Sequence, residues 1–386
     1  MIEINETAAL AAFCAKAAEH PYVTVDTEFL RERTYYPKLC LVQLAFPGGG
    51  EGDAAIVDPL GGELDLAPLD ALLADPSVVK VFHAARQDIE IFWHRNAAVP
   101  APLFDTQVAA MVCGFGEQVG YETLVRKIAR TDLDKSSRFT DWSRRPLTDA
   151  QKTYALADVT HLRQIYETLS QRLTESGRTA WVEEEMAILT DPDTYQVVPE
   201  EAWRRLKTRS NSGRFLAIVR ALAAFREREA QSRDVPRNRI LKDDALLELA
   251  SLKPRTPQEL GRARLLLREA RKGATADGLL AAVAEGMACP DNALPAVAPQ
   301  RPQRSGSQAL SDLLKVLLKA RADQAGVAQK LIATSADLED LANGADGDLL
   351  VLKGWRREIF GEDALALRRG EIALAASKGG VRIHRL

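Results

Sequence analysis

The sequence predicts an α/β domain followed by all-α helical modules, and three observations predict it. Strand-like and helix-like stretches alternate through the first half of the chain. From about residue 195 the β-type runs vanish, and Ala, Leu, Arg and Glu dominate in helical periods. A stretch rich in Pro and poor in large apolar residues, CPDNALPAVAPQRPQRSGSQ (289–308), reads as an extended linker within that helical region. With 386 residues the chain has room for about two to three domains.

Residues 5–18 are Ala-rich and suit a helix. YVTVDTEFL (22–30), KLCLVQLAF (38–46) and AAIVD (54–58) are β-type runs separated by turn residues, which predicts an antiparallel meander. Helical periodicity follows at 65–74, a short buried strand in VVKVF (78–82), then a helix at 84–95. The α/β domain is placed at 1–190. Helical periods then run over 200–208, 213–231, 242–250, 256–271 and 275–287, forming a first module at 195–288. After the linker a second helical block spans 309–377, and the tail KGGVRIHRL is expected to fray.

Apolar residues make up 46% and charged residues 27%, ordinary for a soluble globular protein, and the net charge of -3 means that any polyanionic partner must be met by a local patch. Cys14, Cys40, Cys113 and Cys289 lie far apart without metal-ligand spacing and read as small buried or incidental residues of a reducing compartment. The N-terminus carries acids and lacks the basic start and apolar core of a secretory signal. No apolar run reaches membrane-spanning length, so no membrane association is expected and the cytoplasm is the expected location.

The chemistry sits in carboxylates. Asp26 and Glu28 lie two apart in the first strong strand, so the period of 2 puts both on one face while Val23, Val25 and Phe29 point to the other. Two acids on one face of so apolar a strand repel each other and lose solvation unless a cation joins them; a strand face open to water is the competing reading. Asp88 falls in the first turns of a helix after the strand VVKVF, where the helix dipole alone favours an acid. Tyr154 and Asp158, at i and i+4, stack on one helix face. As an ordered set these supply four hard oxygen ligands and one orienting hydroxyl. Carboxylates without His or Cys suit Mg²⁺ or Mn²⁺ and argue against zinc. Two such cations about 4 Å apart serve in-line phosphodiester displacement.

VDTEF, HAARQDIE and YALADV resemble the three exonuclease motifs of the DEDD superfamily in its tyrosine-bearing branch, and LDKSSRFTDWSRRPLTDAQKTYALADV is similar to the ribonuclease D family. The resemblance covers roughly residues 20–170. It implies a ribonuclease H-like fold whose mixed sheet carries Asp26 and Glu28 on its central strand. It implies two divalent metal ions, one held by Asp26, Glu28 and Asp158, the other by Asp26 with Asp88 acting through water. Tyr154 would orient the attacking water, since a phenol of pKa about 10 stays protonated at neutral pH. The implied activity is a 3′→5′ exoribonuclease releasing nucleoside 5′-monophosphates from RNA with a free 3′ end, precursor tRNA among them.

Lys135, Arg138, Arg144 and Arg145 flank Trp142 just upstream of Tyr154 and are candidates for substrate phosphates, with solvated loop charges beside a packed Trp as the alternative. His83 and His94 read as structural, and Asp105 as a helix cap. Between Arg204 and Lys242 twelve Lys and Arg face three acids, a net +9 that the bulk charge conceals. Arg204, Arg205, Lys207 and Arg237 are the substrate-binding candidates there, while Trp203, Phe215 and Phe225 read as core anchors. The stretch from PEEAWRRLK to PRTPQEL resembles an HRDC module, a small helical bundle associated with nucleic-acid binding, and the second block resembles it faintly through SADLEDLANG. Two rivals remain at this level: a single-strand DNA 3′→5′ exonuclease using the same carboxylates, and a non-catalytic RNA-binding protein on an inert nuclease fold.

Overall fold

The structure, a computed structural model, describes residues 2–50, 52–134, 137, 140–208, 210, 212–296 and 306–386. Lys135, Arg138 and the middle of the Pro-rich stretch, 297–305, lie outside the described residues.

The α/β body runs β1 (Ile2–Ile4), α1 (Thr7–Ala17), β2 (Tyr22–Leu30), β3 (Lys38–Ala45), β4 (Ala54–Val57), α2 (Ala67–Ala74), β5 (Val79–Phe82), α3 (Arg86–Asn96), β6 (Leu103–Asp105), α4 (Thr106–Val112) and α5 (Tyr121–Leu124). A π-helical turn, Val125–Ala129, precedes the long α6 (Asp149–Glu175) and α7 (Thr179–Leu189). The six strands form one mixed sheet in the order β1-β4-β3-β2-β5-β6. The expected meander is present: β2 pairs antiparallel with β3 and β3 with β4, whereas β5 and β6 join in parallel. The edge strands β1 and β6 add to the sequence reading, and three residues are too few to display alternation.

Alternation along β2 and β3 builds both faces. Val23, Val25, Val42 and Leu44 meet Leu10 and Phe13 of α1 and Leu69 of α2 in one core, all buried. Cys40, Leu41 and Ile56 face the other way, against Ala155 of α6 and Trp142. Each large apolar side chain buried in this way is worth about 1.5–3 kcal/mol. Helix α6 is started by a capping box, Thr148 with Gln151, and lays Ala155, Val159 and Leu162 on the sheet.

The helical region opens with a 3₁₀ turn, Pro199–Arg205, where the sequence predicts an α-helix. Then come α8 (Gly213–Arg233), α9 (Arg237–Ile240), α10 (Asp243–Leu252), α11 (Pro257–Leu260) and α12 (Gly273–Ala288). Helices α8 and α12 pack closely because Gly286 lies against the backbone of Ile218, where a Cβ would come to 2.4 Å of the Ile218 Cα. The helix expected over 256–271 is corrected to the single turn of α11 and a loop. The Arg271 guanidinium gathers the carbonyls of Gly261, Ala263 and Leu266, and Glu248 accepts the amides of Arg264 and Leu265. Side chains thus take the bonds a helix would have made.

The second block holds α13 (Ser307–Ala325), α14 (Gln329–Ile332), α15 (Ser335–Ala342), α16 (Gly354–Arg356) and α17 (Glu362–Arg369). The tail expected to fray is instead a hairpin, β7 (Ile372–Ser377) with β8 (Gly380–Arg385), turned at Lys378-Gly379. Ile372 is buried in the core of this block, with Leu374 and Ile383 packed against it, and that burial pins the hairpin down.

Both helical bodies are tied to the α/β body. Tyr35, in the loop after β2, hydrogen-bonds with its hydroxyl to the buried Glu227 of α8, which Arg237 also grips. Asp234 accepts the amides of Tyr35 and Tyr36. Burial and the Glu227 bond push the Tyr35 phenol up to about 12. On the other side, Arg356 pairs with Glu185 of α7 in a buried ion pair, Trp355 stacks on Trp181 at 4.7 Å, and Ala328 donates its amide to the Met111 carbonyl.

Candidate active site

Strand β2 is interior to the sheet, and Thr24, Asp26 and Glu28 share the face that looks at α6. The Thr24 hydroxyl bridges the carbonyls of Ala45 and Val159 at 3.0 and 2.9 Å, tying this face to α6 one residue beyond Asp158. As a result, ligand oxygens of Asp26, Glu28 and Asp158 lie within 4.8 Å of one another. A register shift between Glu28 and Phe29 bends the strand where its last carboxylate is presented.

Asp88 arrives from the first turn of α3. The turn before it is held by Asp105, which accepts the amides of Ala84 and Ala85 and caps α4 through Gln107 and Val108. Asp88 is buried and accepts a hydrogen bond from Thr27, on the opposite face of β2 from the other two acids. It stands outside the 4.8 Å set.

Tyr154 lies one helical turn before Asp158 on α6, its ring 6.1 Å from the buried Trp142. A cavity of about 260 Å³ opens over these groups, lined by Asp26, Tyr154 and Asp158 on one side and by Gly120 to Thr123 and Leu133 on the other. The cavity also touches His83, whose Nδ1 lies 2.9 Å from the Thr106 hydroxyl. That hydroxyl donates to the Phe82 carbonyl and is left to accept from Nδ1, and burial lowers the His83 pKa from 6.5.

The electrostatics leave these acids either protonated or joined by a cation. Burial first, then mutual repulsion, pushes Glu28 up to about 10; burial and Asp158 raise Asp26 well above the carboxylate range; burial and Asp26 do the same to Asp88. Acids so placed cannot all be charged unless something positive joins them. The donors are all oxygen, with no thiolate or imidazole in the set, so the residues present fit a hard divalent ion.

Comparison with known proteins decides the family. A 3′-5′ exonuclease profile matches residues 1–174, and an HRDC domain profile matches residues 215–283. The chain is 63% identical over 381 residues to the ribonuclease D of Jannaschia sp., covering 98% of both chains. The ribonuclease D of Bartonella henselae is 43% identical, over 99% of this chain and 94% of that one. The chain belongs to the ribonuclease D family. The crystal structure of Escherichia coli RNase D, described as an exoribonuclease involved in structured RNA processing, superposes with a TM-score of 0.82 at 32% identity, covering 95% of this chain and 98% of that chain. This member of the family is therefore a hydrolytic, divalent-metal-dependent 3′-5′ exoribonuclease with a ribonuclease H-like catalytic fold. Among the described residues no helix is long and apolar enough to cross a membrane.

The basic candidates fare differently. Arg145, expected at substrate phosphates, is spent inside the protein. It grips Asp58 through two nitrogens at 2.6 and 2.5 Å and donates to the carbonyls of Cys40 and Trp142. Arg237 is likewise committed to Glu227 and Tyr35. Arg144 stays exposed beside Asp141 at 3.4 Å, and Arg204 pairs with Glu201. Arg205 and Lys207 are exposed and form no ion pair among the described residues. The +9 stretch is more neutral in space than in sequence, because Glu200, Glu201, Asp243 and Asp291, all outside it, pair with its arginines. Sequence reading missed the wall formed by Tyr121, Glu122 and Thr123, whose only signal is a Gly before a helix start. Tyr121 donates to the Ala157 carbonyl at 2.9 Å, next to Asp158.

Proposed function

We propose that the chain shortens RNA from its 3′ end by a two-metal mechanism, releasing nucleoside 5′-monophosphates in the cytoplasm, with precursor tRNA as the physiological substrate. The observation that carries this reading is the convergence of Asp26, Glu28 and Asp158 oxygens within 4.8 Å beneath an open cavity. Asp26, Glu28 and Asp158 would hold one Mg²⁺ or Mn²⁺, and Asp88 with Asp26 the second. When bound, such ions supply positive charge for the phosphoryl transition state and for the leaving oxygen.

The chain's own side chains do the rest. Tyr154 uses its hydroxyl to orient the attacking water, and Trp142 backs its ring. Tyr121 and Leu133 form the opposite wall against which the terminal nucleotide is positioned. RNA is taken as the substrate because the similar Escherichia coli protein is described as an exoribonuclease involved in structured RNA processing. The division into a catalytic domain at 1–190, an HRDC module at 195–288, a linker at 289–308 and a second HRDC-like module at 309–377 belongs to the same proposal.

The test is trimming of matched 3′-labelled RNA and DNA strands by the parent, Asp26→Asn and Tyr154→Phe proteins in Mg²⁺ or Mn²⁺. Asp26→Asn is expected to abolish release of monophosphates, and Tyr154→Phe to lower kcat by about 10²-fold or more with little change in KM. Unchanged trimming by Asp26→Asn shows the site to be misassigned, and faster loss of DNA than RNA shows the substrate to be.

A further inference from the structure

A second cavity, of about 330 Å³, lies where the loop after β2 meets the first helical body. Its walls carry Arg31, Arg205, Arg226 and Arg237, and against these four guanidinium groups only two carboxylates, Glu227 and Asp243. Arg237 is consumed by Glu227, and Arg31 holds Glu90 through two bonds of 2.7 Å at the rim. The other two arginines have unused donors. Arg205 is exposed and forms no hydrogen bond or ion pair among the described residues. Arg226 is 3% exposed and bonds Asp243 and the Leu241 carbonyl through Nη1, but its Nε is buried with no acceptor. A buried guanidinium N–H left without an acceptor is costly.

We propose that this cleft is a phosphate-binding subsite that takes the RNA backbone upstream of the 3′ end. The chemistry fits: arginine forks on a wall with surplus positive charge match phosphate oxygens. The placement fits as well. Arg31 follows Glu28 by three residues, about 10 Å of extended chain, and its partner Glu90 follows Asp88 by two on α3. The rim of the cleft is thus anchored to two elements that carry the catalytic acids. The inference rests on the reading of the chain as an RNA 3′ exonuclease and adds the place where substrate beyond the terminal nucleotides is held.

The experiment uses the full chain as the parent, Arg205→Glu and Arg205→Lys proteins. KM is measured over a salt series for a dinucleotide and for a long unstructured oligoribonucleotide. In the parent, KM falls from the short to the long substrate. In Arg205→Glu that fall is expected to shrink about 5- to 10-fold, and the salt dependence of log KM for the long RNA to flatten by about 0.7 for each phosphate that the protein no longer neutralises. Arg205→Lys is expected to restore the salt slope but only part of the fall, since it keeps the charge and loses the fork. Parental length dependence and salt slope in Arg205→Glu, beside an active parent, overturn the cleft alone and leave its arginines to an acidic protein surface. Equal rises for both substrates also overturn it, by placing Arg205 at the catalytic cavity. A parent that trims no RNA overturns the exonuclease reading and the cleft together.

Discussion

Replacing Arg356 by methionine is the sharpest structural test, because the expected cost can be worked out. The Arg356 and Glu185 side chains are 4% and 9% exposed, so removing the guanidinium strands a carboxylate in the interface between α7 and the second helical body. Breaking one partner of a buried pair costs about 3–5 kcal/mol. Glu185 has an escape, which is to take up a proton. Burial already raises its pKa above the ordinary 4.5, and only Arg356 and its neighbours hold it back. Protonating a carboxyl of pKa 4.5 at pH 7 costs about 3.4 kcal/mol at most, and about 1.4 kcal/mol less for each pH unit lower. The lost bond from Arg356 Nε to the Leu331 carbonyl adds about 1 kcal/mol. A deficit of about 3–4 kcal/mol at pH 7 should therefore shrink to roughly 1–2 kcal/mol by pH 5. The sign follows from a folded-state pKa raised above the unfolded one, which gives stability that is complete below about 4.5 and drains away as pH rises. Urea unfolding followed by tryptophan fluorescence reads the loss, since Trp181 and Trp355 stack within the same interface. Replacing Glu185 by methionine as well should recover most of it. A deficit below about 1 kcal/mol, or one that does not change between pH 5 and 7, would refute the assignment of a dry, proton-linked interface.

Two other outcomes are expected. With Glu28 pushed up to about 10 and Asp26 and Asp88 raised by burial and repulsion, the cation-free cluster keeps protons at neutral pH. Mn²⁺ binding should release at least one, so apparent affinity should rise about tenfold per pH unit for each proton displaced. Calorimetry in two buffers of different ionisation enthalpy measures this, and binding without proton release contradicts the electrostatics. Gly114, at φ +76, sits where a Cβ would come to 2.7 Å of the Gly326 carbonyl. Gly114→Ala should loosen the packing against the second helical body by about 1–3 kcal/mol, and an unchanged urea midpoint would show that packing to be slack.

The acidic face of β2 was legible because its logic is local. Asp26 and Glu28 announce themselves by alternation, and Tyr154 with Asp158 by helical spacing, so only the folding of α6 onto β2 remained to be found. What could not be read was set by partners distant in sequence. Nothing around Arg145 distinguishes a phosphate ligand from a buried clamp until Asp58, 87 residues earlier, is seen beneath it. The same holds for Arg237, whose task is decided by Glu227 and by Tyr35 from the other body. The hairpin at the C-terminus was missed for a related reason. Its strands are half-exposed, with Ala, Arg and His on them, and only the burial of Ile372 and the packing of Leu374 and Ile383 against the second helical core make a strand of such a sequence.

The two halves of the molecule answer each other electrically. The cluster of Asp26, Glu28 and Asp158 offers a polyanion no positive charge of its own, and burial, followed by repulsion among the acids, raises the pKa values of Asp26 and Glu28. Cations can neutralise the site itself, but they act over a short range, since salt screens charges beyond about 8 Å. Attraction for the rest of the strand has to come from elsewhere on the surface. In this chain the positive excess is carried by the helical stretch from Arg204 to Lys242, much of it cancelled by Glu200, Glu201, Asp243 and Asp291. What survives that pairing includes Arg205, on the wall next to the loop that leaves β2. Tyr35 ties the loop that leaves β2 to that wall through Asp234 and Glu227, so the acidic and basic surfaces hold a fixed spacing. Cutting the lock with Tyr35→Phe and Asp234→Ala together should therefore raise KM for long RNA while sparing the dinucleotide, and a rise shared by both would mean that the lock shapes the catalytic cavity instead.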